Sequence, residues 1–208
     1  MIEYIVAQNP DDRILKRAGE FLAQGKIISF PSDTNWLLVC DVFQAEAVRK
    51  IYQAKHENPH HHFSLLCGDI KSVSEVALLS DLTFRWMKRL IPGPYTFILE
   101  ANKLVSKSLK ASHRDHEVGV RIPDCGLLRA LAKFYPGPLL STNIHPAMLG
   151  VSEEDIIYGL LIEEELGPLV SMVLDPGETT FVGPSTILDL RVDGAPQVLR
   201  YGSGPVPF

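Results

Sequence analysis

Only three cysteines occur, Cys40, Cys67 and Cys125, odd in number and far apart. That excludes a disulfide framework or a zinc ribbon and leaves three buried thiols as the expectation. No apolar run approaches the roughly 20 residues a membrane-crossing helix needs, and no basic-then-apolar leader opens the sequence. These absences place the chain in the cytoplasm without a membrane partner. Positive charge is not in excess either: 20 Lys and Arg face 25 Asp and Glu, for a formal net charge of -5. A wholesale nucleic-acid footprint is therefore disfavoured, and any RNA contact is confined to a local groove such as Lys103, Lys107, Lys110 and Arg114. Internal repeats and low-complexity tracts are missing as well.

What is there is 208 residues, 46% hydrophobic and 22% charged, enough for one sizeable core. The expectation is a single domain over 1–208, with its core at about 11–201 and a short extended tail at 202–208.

Apolar residues recur at helical spacing over Ile14, Leu15, Ala18, Phe21 and Leu22, after Asp11 and Asp12 as caps and before Gly25 as a stop. The strand-like run Lys26–Phe30 ends at Pro31, and a polar turn separates it from a second run, Asn35–Cys40. A helix over Ala45–Tyr52, a strand over Phe63–Cys67 and a long amphipathic helix over Val73–Ile91 follow. Further strands are expected near Tyr95–Ala101, Val118–Ile122, Leu139–Thr142, Leu169–Leu174, Thr186–Leu190 and Gln197–Arg200. Helices are expected near Leu127–Phe134 and Glu153–Leu166. The alternation specifies a mixed α/β sheet protein.

Five motifs occur in order: Pro31-Ser32-Asp33-Thr34, Lys55 at a helix end, Pro92-Gly93-Pro94-Tyr95-Thr96, Val118-Gly119-Val120-Arg121-Ile122-Pro123, and Pro184-Ser185-Thr186-Ile187-Leu188-Asp189. Each alone is weak, but the ordered set resembles the YrdC/YciO family, and the stretch from Phe84 to Thr142 looks like its YciO branch. The resemblance implies a twisted open mixed sheet flanked by helices, with a central concave cavity for ATP and threonine. It also implies a nucleotidyltransferase joining threonine, bicarbonate and ATP into threonylcarbamoyl-adenylate and pyrophosphate for a tRNA modification, with Mg²⁺ as helper and tRNA-modification proteins as possible partners. A second reading on the same fold is a nucleotide- or double-stranded-RNA-binding protein with reduced or no catalysis.

By the same resemblance, Lys55 holds the triphosphate, and Asn143, His145, Ser185, Thr186 and Arg200 complete the nucleotide side. Thr34, Thr96 and Arg121 form the threonine side, where a planar guanidinium can grip a carboxylate through two hydrogen bonds. Lys55 and Arg121 are the catalytic pair, because phosphoryl chemistry depends on positioning and charge neutralisation. Asp33 orients its loop rather than reacting. Each residue also has a plainer reading: Lys55 as a solvated helix end, Arg121 in a structural ion pair, Ser185 and Thr186 as turn caps, Thr96 as a strand former.

The chain departs from the family pattern at three places. Glu57 stands where the family has an Arg two residues after the Lys, so it points away, binds a metal or weakens ATP binding. Trp36-Leu37-Leu38 replaces an aromatic-Gly-Leu step, which narrows the pocket. The family's Ser-x-Asn pattern fits as Ser141 with Asn143 or, preferred here, as Asn143 with His145. Of the tract His60-His61-His62, only two side chains can face one ion, fewer than a zinc site needs, and no metal site is assigned. The tract is expected either to bring a His to the phosphates or to be a solvent-facing loop.

Overall fold

The computed structural model describes residues 1–191 and 196–206. Its strands are β1 (Ile2–Tyr4), β2 (Ile28–Pro31), β3 (Trp36–Asp41), β4 (Ser64–Leu66), β5 (Tyr95–Glu100), β6 (Glu117–Arg121), β7 (Leu139–Asn143), β8 (Met172–Asp175), β9 (Thr186–Asp189) and β10 (Gln197–Arg200). Its helices are α1 (Asp12–Ala23), α2 (Ala45–Ala54), α3 (Ile70–Val73), α4 (Asp81–Leu90), α5 (Lys103–Ser108), α6 (Lys110–Asp115), α7 (Gly126–Leu131) and α8 (Gly159–Leu166).

The strands form one mixed sheet in the order β1-β8-β2-β3-β7-β4-β6-β5-β9-β10. Four neighbouring pairs are parallel (β1/β8, β2/β8, β4/β6, β5/β9) and five antiparallel (β2/β3, β3/β7, β4/β7, β5/β6, β9/β10) among the described residues. Successive strand residues point to opposite faces, and two apolar clusters result. Leu38, Cys40, Leu65, Phe97, Val120, Leu140 and Leu188 belong to the larger. Leu37, Val39, Leu66 and Leu139 belong to the second, with Leu15 and Leu22 of α1 and Leu127, Leu128 and Leu131 of α7. Each fully buried leucine contributes about 2 kcal/mol of burial.

The second cluster takes no described residue from β5, β6, β9 or β10. On that face Leu66 pairs with both Leu139 and Arg121, and Ser64 with both Ser141 and Gly119. The apolar layer under α1 and α7 therefore gives way to polar side chains along the same face, and the hollow described below forms there.

Local signals explain most boundaries. The Asp11 carboxylate accepts from the Arg13 N–H to open α1. Gly25, at φ 71°, closes it, with Gly25 N–H donating to Leu22 O and Lys26 N–H to Phe21 O. Of the helix expected over Val73–Ile91 only α4 forms, and the short α3 before it ends at Val73. Ala77 between them bridges Ala101, and the Ser80 hydroxyl accepts from the Thr83 N–H to start α4 afresh. The helix expected from Glu153 begins only at Gly159, because the Asp155 carboxylate binds the Ser152 N–H in a turn. The strand expected over Leu169–Leu174 is Met172–Asp175. β1, α5 and α6 had no sequence forecast; the last two carry Lys103, Lys107, Lys110 and Arg114, all exposed. Residues 207–208 of the expected tail lie outside the described residues. All three cysteines are free and buried, and burial pushes the Cys67 thiol up to about 12. No helix among the described residues is long and apolar enough to cross a membrane.

Candidate functional site

α2 delivers the first cation. Lys55 is its C-terminal cap residue; His56 then takes the left-handed conformation (φ 53°), donating to Gln53 O, while Glu57 N–H returns to Tyr52 O. This reciprocal pair is a Schellman motif with His where Gly is usual. With one left-handed residue between them, Lys55 and Glu57 both face the same hollow of about 430 Å³. The Lys55 ammonium donates to the Asn143 carbonyl at 3.3 Å. Partial burial holds Lys55 below the usual lysine value, and the Glu57 carboxylate pulls it back up.

Strand residues supply the floor and far wall: Ser64, Thr96, Arg121, Ser141, Thr142, Asn143, Ser185, Ile187 and Arg200 line the same hollow. Thr96 and Arg200 both pair with Ile187 in the sheet, which carries the β9/β10 edge into the site. Arg200 closes that side through a fork onto the Ser185 carbonyl, Nη2 at 2.7 Å and Nε at 3.1 Å, and a third contact to the Ser185 hydroxyl. The Ser185 and Thr96 hydroxyls are 2.8 Å apart.

Arg121 is 5% exposed. Its Nη2 donates to the Asp33 carboxylate at 2.8 Å and to the Thr34 hydroxyl at 2.9 Å, while its buried Nε has no hydrogen-bond partner. Burial, opposed by Asp33 and reinforced by Arg200, lowers the Arg121 pKa from the ordinary arginine value. Asp33 also accepts from the Asp124 N–H, so it fastens the β2–β3 loop to β6 and the residues after it. Arg121 is thus in the ion pair that was its plainer reading and also lines the hollow.

Two residues expected at the site sit elsewhere. Thr186 is fully buried, and its hydroxyl donates to Gly204 O at 2.6 Å and accepts from the Gly202 N–H at 3.0 Å. It holds the segment after β10, not the hollow. Thr34 lines an adjoining hollow of about 640 Å³ together with Trp36, Glu153, Tyr158 and Phe181, and His145 borders both. Trp36 is buried with its indole N–H bound to Ile157 O, and Leu37, at the Gly position of the family's step, is buried in the second apolar cluster. Burial and then Lys55 hold His145 below the ordinary histidine value, against Glu153.

The histidine tract divides. His61 and His62 line the hollow; His60 is exposed, its N–H held by the Asn58 side chain. His61 Nδ1 lies 3.4 Å from Glu57, its ring edge-on to Phe63 and its carbonyl bound by the Tyr52 hydroxyl. His62 Nε2 lies 3.2 Å from Asp115 and 3.7 Å from Glu117. Sequence reasoning gave no role to Ser64, which only strand register reveals. It held Ser141 in the less preferred Ser-x-Asn register and did not say which His of the tract would reach the hollow; the i, i+4 spacing of Glu57 and His61 was a usable signal for the latter.

The Sua5/YciO/YrdC family model, whose description reads Telomere recombination, matches residues 20–202. YciO of Escherichia coli K12 is 32% identical over 208 residues, covering 99% of this chain and 97% of its own. The crystal structure of Escherichia coli YciO superposes with a TM-score of 0.85 at 30% identity, covering 100% and 98%. The human threonylcarbamoyl-AMP synthase is 28% identical over 202 residues, 90% of this chain and 67% of its own. With the family model matching residues 20–202 and the YciO structure superposing over the full length of this chain, the chain belongs to the Sua5/YciO/YrdC family.

Proposed function

We propose that the hollow binds ATP and threonine and forms threonylcarbamoyl-adenylate. One observation carries the reading: Lys55, Arg121, Arg200 and the hydroxyls of Thr96 and Ser185, drawn from separate parts of the chain, border one concavity. That is what a polyanion at the point of phosphoryl transfer needs. The relatives named threonylcarbamoyl-AMP synthase support the same chemistry.

In this reading the threonine nitrogen takes up bicarbonate carbon with loss of water, giving a carbamate. A carbamate oxygen then attacks the α-phosphorus, and pyrophosphate leaves. Lys55 offsets charge on the departing phosphates. Arg200 holds Ser185 in place, and Ser185 and Thr96 present hydroxyls to the nucleotide and to threonine. Arg121, fixed by Asp33, turns its unpartnered Nε edge to the threonine carboxylate. Mg²⁺ carried on the nucleotide would offset charge on its phosphates.

Pyrophosphate release from ATP tests this. Release that requires both threonine and bicarbonate and disappears in Lys55→Ala is the expected result; release independent of threonine sinks the reading. The rival is a nucleotide- or RNA-binding protein without turnover, favoured by the Glu57 carboxylate on the hollow. It predicts no pyrophosphate and a salt-dependent affinity for double-stranded RNA.

A further inference from the structure

Among the described residues on the hollow, Glu57 is the one whose charge opposes a polyanion. Three cations border the space, Lys55, Arg121 and Arg200. Asp33 neutralises Arg121 at 2.8 Å, and Glu57 stands beside Lys55. These two carboxylates stand against two of the three cations. Glu57 is also held in position. Its backbone N–H is tied to Tyr52 O, and His61, packed on Phe63, sits 3.4 Å from its carboxylate.

A nucleoside triphosphate carries about four negative charges at neutral pH and a monophosphate about two. The repulsion from one fixed carboxylate scales with the charge of the ligand, so it weighs about twice as heavily on the triphosphate. We infer that Glu57 is a specificity-determining residue that biases the hollow toward nucleoside monophosphates and adenylates and against free nucleoside triphosphates. This rests on the reading of the hollow as a nucleotide site and adds the class of nucleotide it retains. The adenylate product is held more firmly than the metal-free substrate, and ATP enters as its less charged Mg²⁺ complex.

Titration calorimetry with AMP, ADP and ATP, without Mg²⁺, on the intact protein and on Glu57→Gln and Glu57→Arg tests it. Glu57→Gln keeps the shape of a half-exposed side chain, so the fold is retained. The intact protein is expected to bind AMP at least as tightly as ATP. Glu57→Gln should tighten ATP about tenfold but AMP only about threefold, with ADP between and a wider spread in Glu57→Arg. Equal factors for all three nucleotides, or an intact protein that prefers ATP, overturn the inference and leave the nucleotide site standing. Binding of none of the three, by the intact protein or either variant, overturns the site and the inference together.

Discussion

The Arg121 guanidinium and the Asp33 carboxylate meet at 2.8 Å with side chains only 6% and 7% exposed. The pair joins the end of β6 to the loop between β2 and β3, and the Thr34 hydroxyl lies against the same nitrogen. Geometry on this side of the hollow therefore depends on a buried charge pair, whose loss is expected to be felt in stability.

Removing one partner strands the other charge in the interior. Asp33→Ala should lower the unfolding free energy by about 3 kcal/mol in urea denaturation. Replacing both, Asp33→Leu with Arg121→Met, should cost clearly less than the sum of the single changes. Additive losses would show that the pair does not act as a unit. Arg121→Lys should fold and bind threonine more weakly, since an ammonium lacks the fork.

His145 reports on Lys55. Its pKa is held below the ordinary 6.5 by burial first and then by the Lys55 charge. On acidification the unfolded chain takes up that proton before the folded one. The His145 contribution therefore destabilises the fold as pH falls through the ordinary histidine value, and is absent well above it. In Lys55→Met, histidine NMR titration should show His145 protonating at higher pH than in the intact protein. An unmoved titration would mean that the two side chains do not sense each other.

Two helix ends make opposite predictions. Gly25 and His56 both sit at positive φ after a helix. His56→Gly should raise stability by up to about 1 kcal/mol, since the left-handed region penalises a side chain. Gly25→Ala should lower it by about 1 kcal/mol, with a Cβ meeting the Gln44 side chain at 3.1 Å. Thermal unfolding of both variants checks the signs.

Thr186 separates a structural from a ligand-binding role. Thr186→Val leaves the Gly202 N–H and the Gly204 carbonyl without the hydroxyl that joins them, and should cost about 1–3 kcal/mol. Nucleotide affinity, measured where the variant is folded, should change less than in Lys55→Ala. A loss of affinity as large as that of Lys55→Ala would return Thr186 to the nucleotide.

The sheet was legible because apolar alternation and turn residues mark strands directly. Lys26–Phe30, Asn35–Cys40 and Thr186–Leu190 fall within a residue or two of β2, β3 and β9. Val73–Ile91 was not, since apolar spacing continued across a break enforced by the Ala77–Ala101 bridge and the Ser80 cap. At the site, residue types were readable but directions were not. Thr186 and Ser185 are adjacent, and strand alternation sends one hydroxyl to the hollow and the other to the chain behind it. For Glu57 the sequence left open turning away, holding a metal or weakening ATP binding; after the left-handed His56 it lines the hollow.

The order of strands has a kinetic and thermodynamic corollary. Lys55, Arg121, Ser185 and Arg200 become neighbours only after distant segments have zipped together, β4 to β6 and β5 to β9 among them. The hollow thus exists only where these non-local pairings are in place. A molecule seated there acts as a staple across the whole sheet: by mass action it raises the melting temperature of every strand at once, and protection from proteolysis on adding nucleotide should extend to both edges.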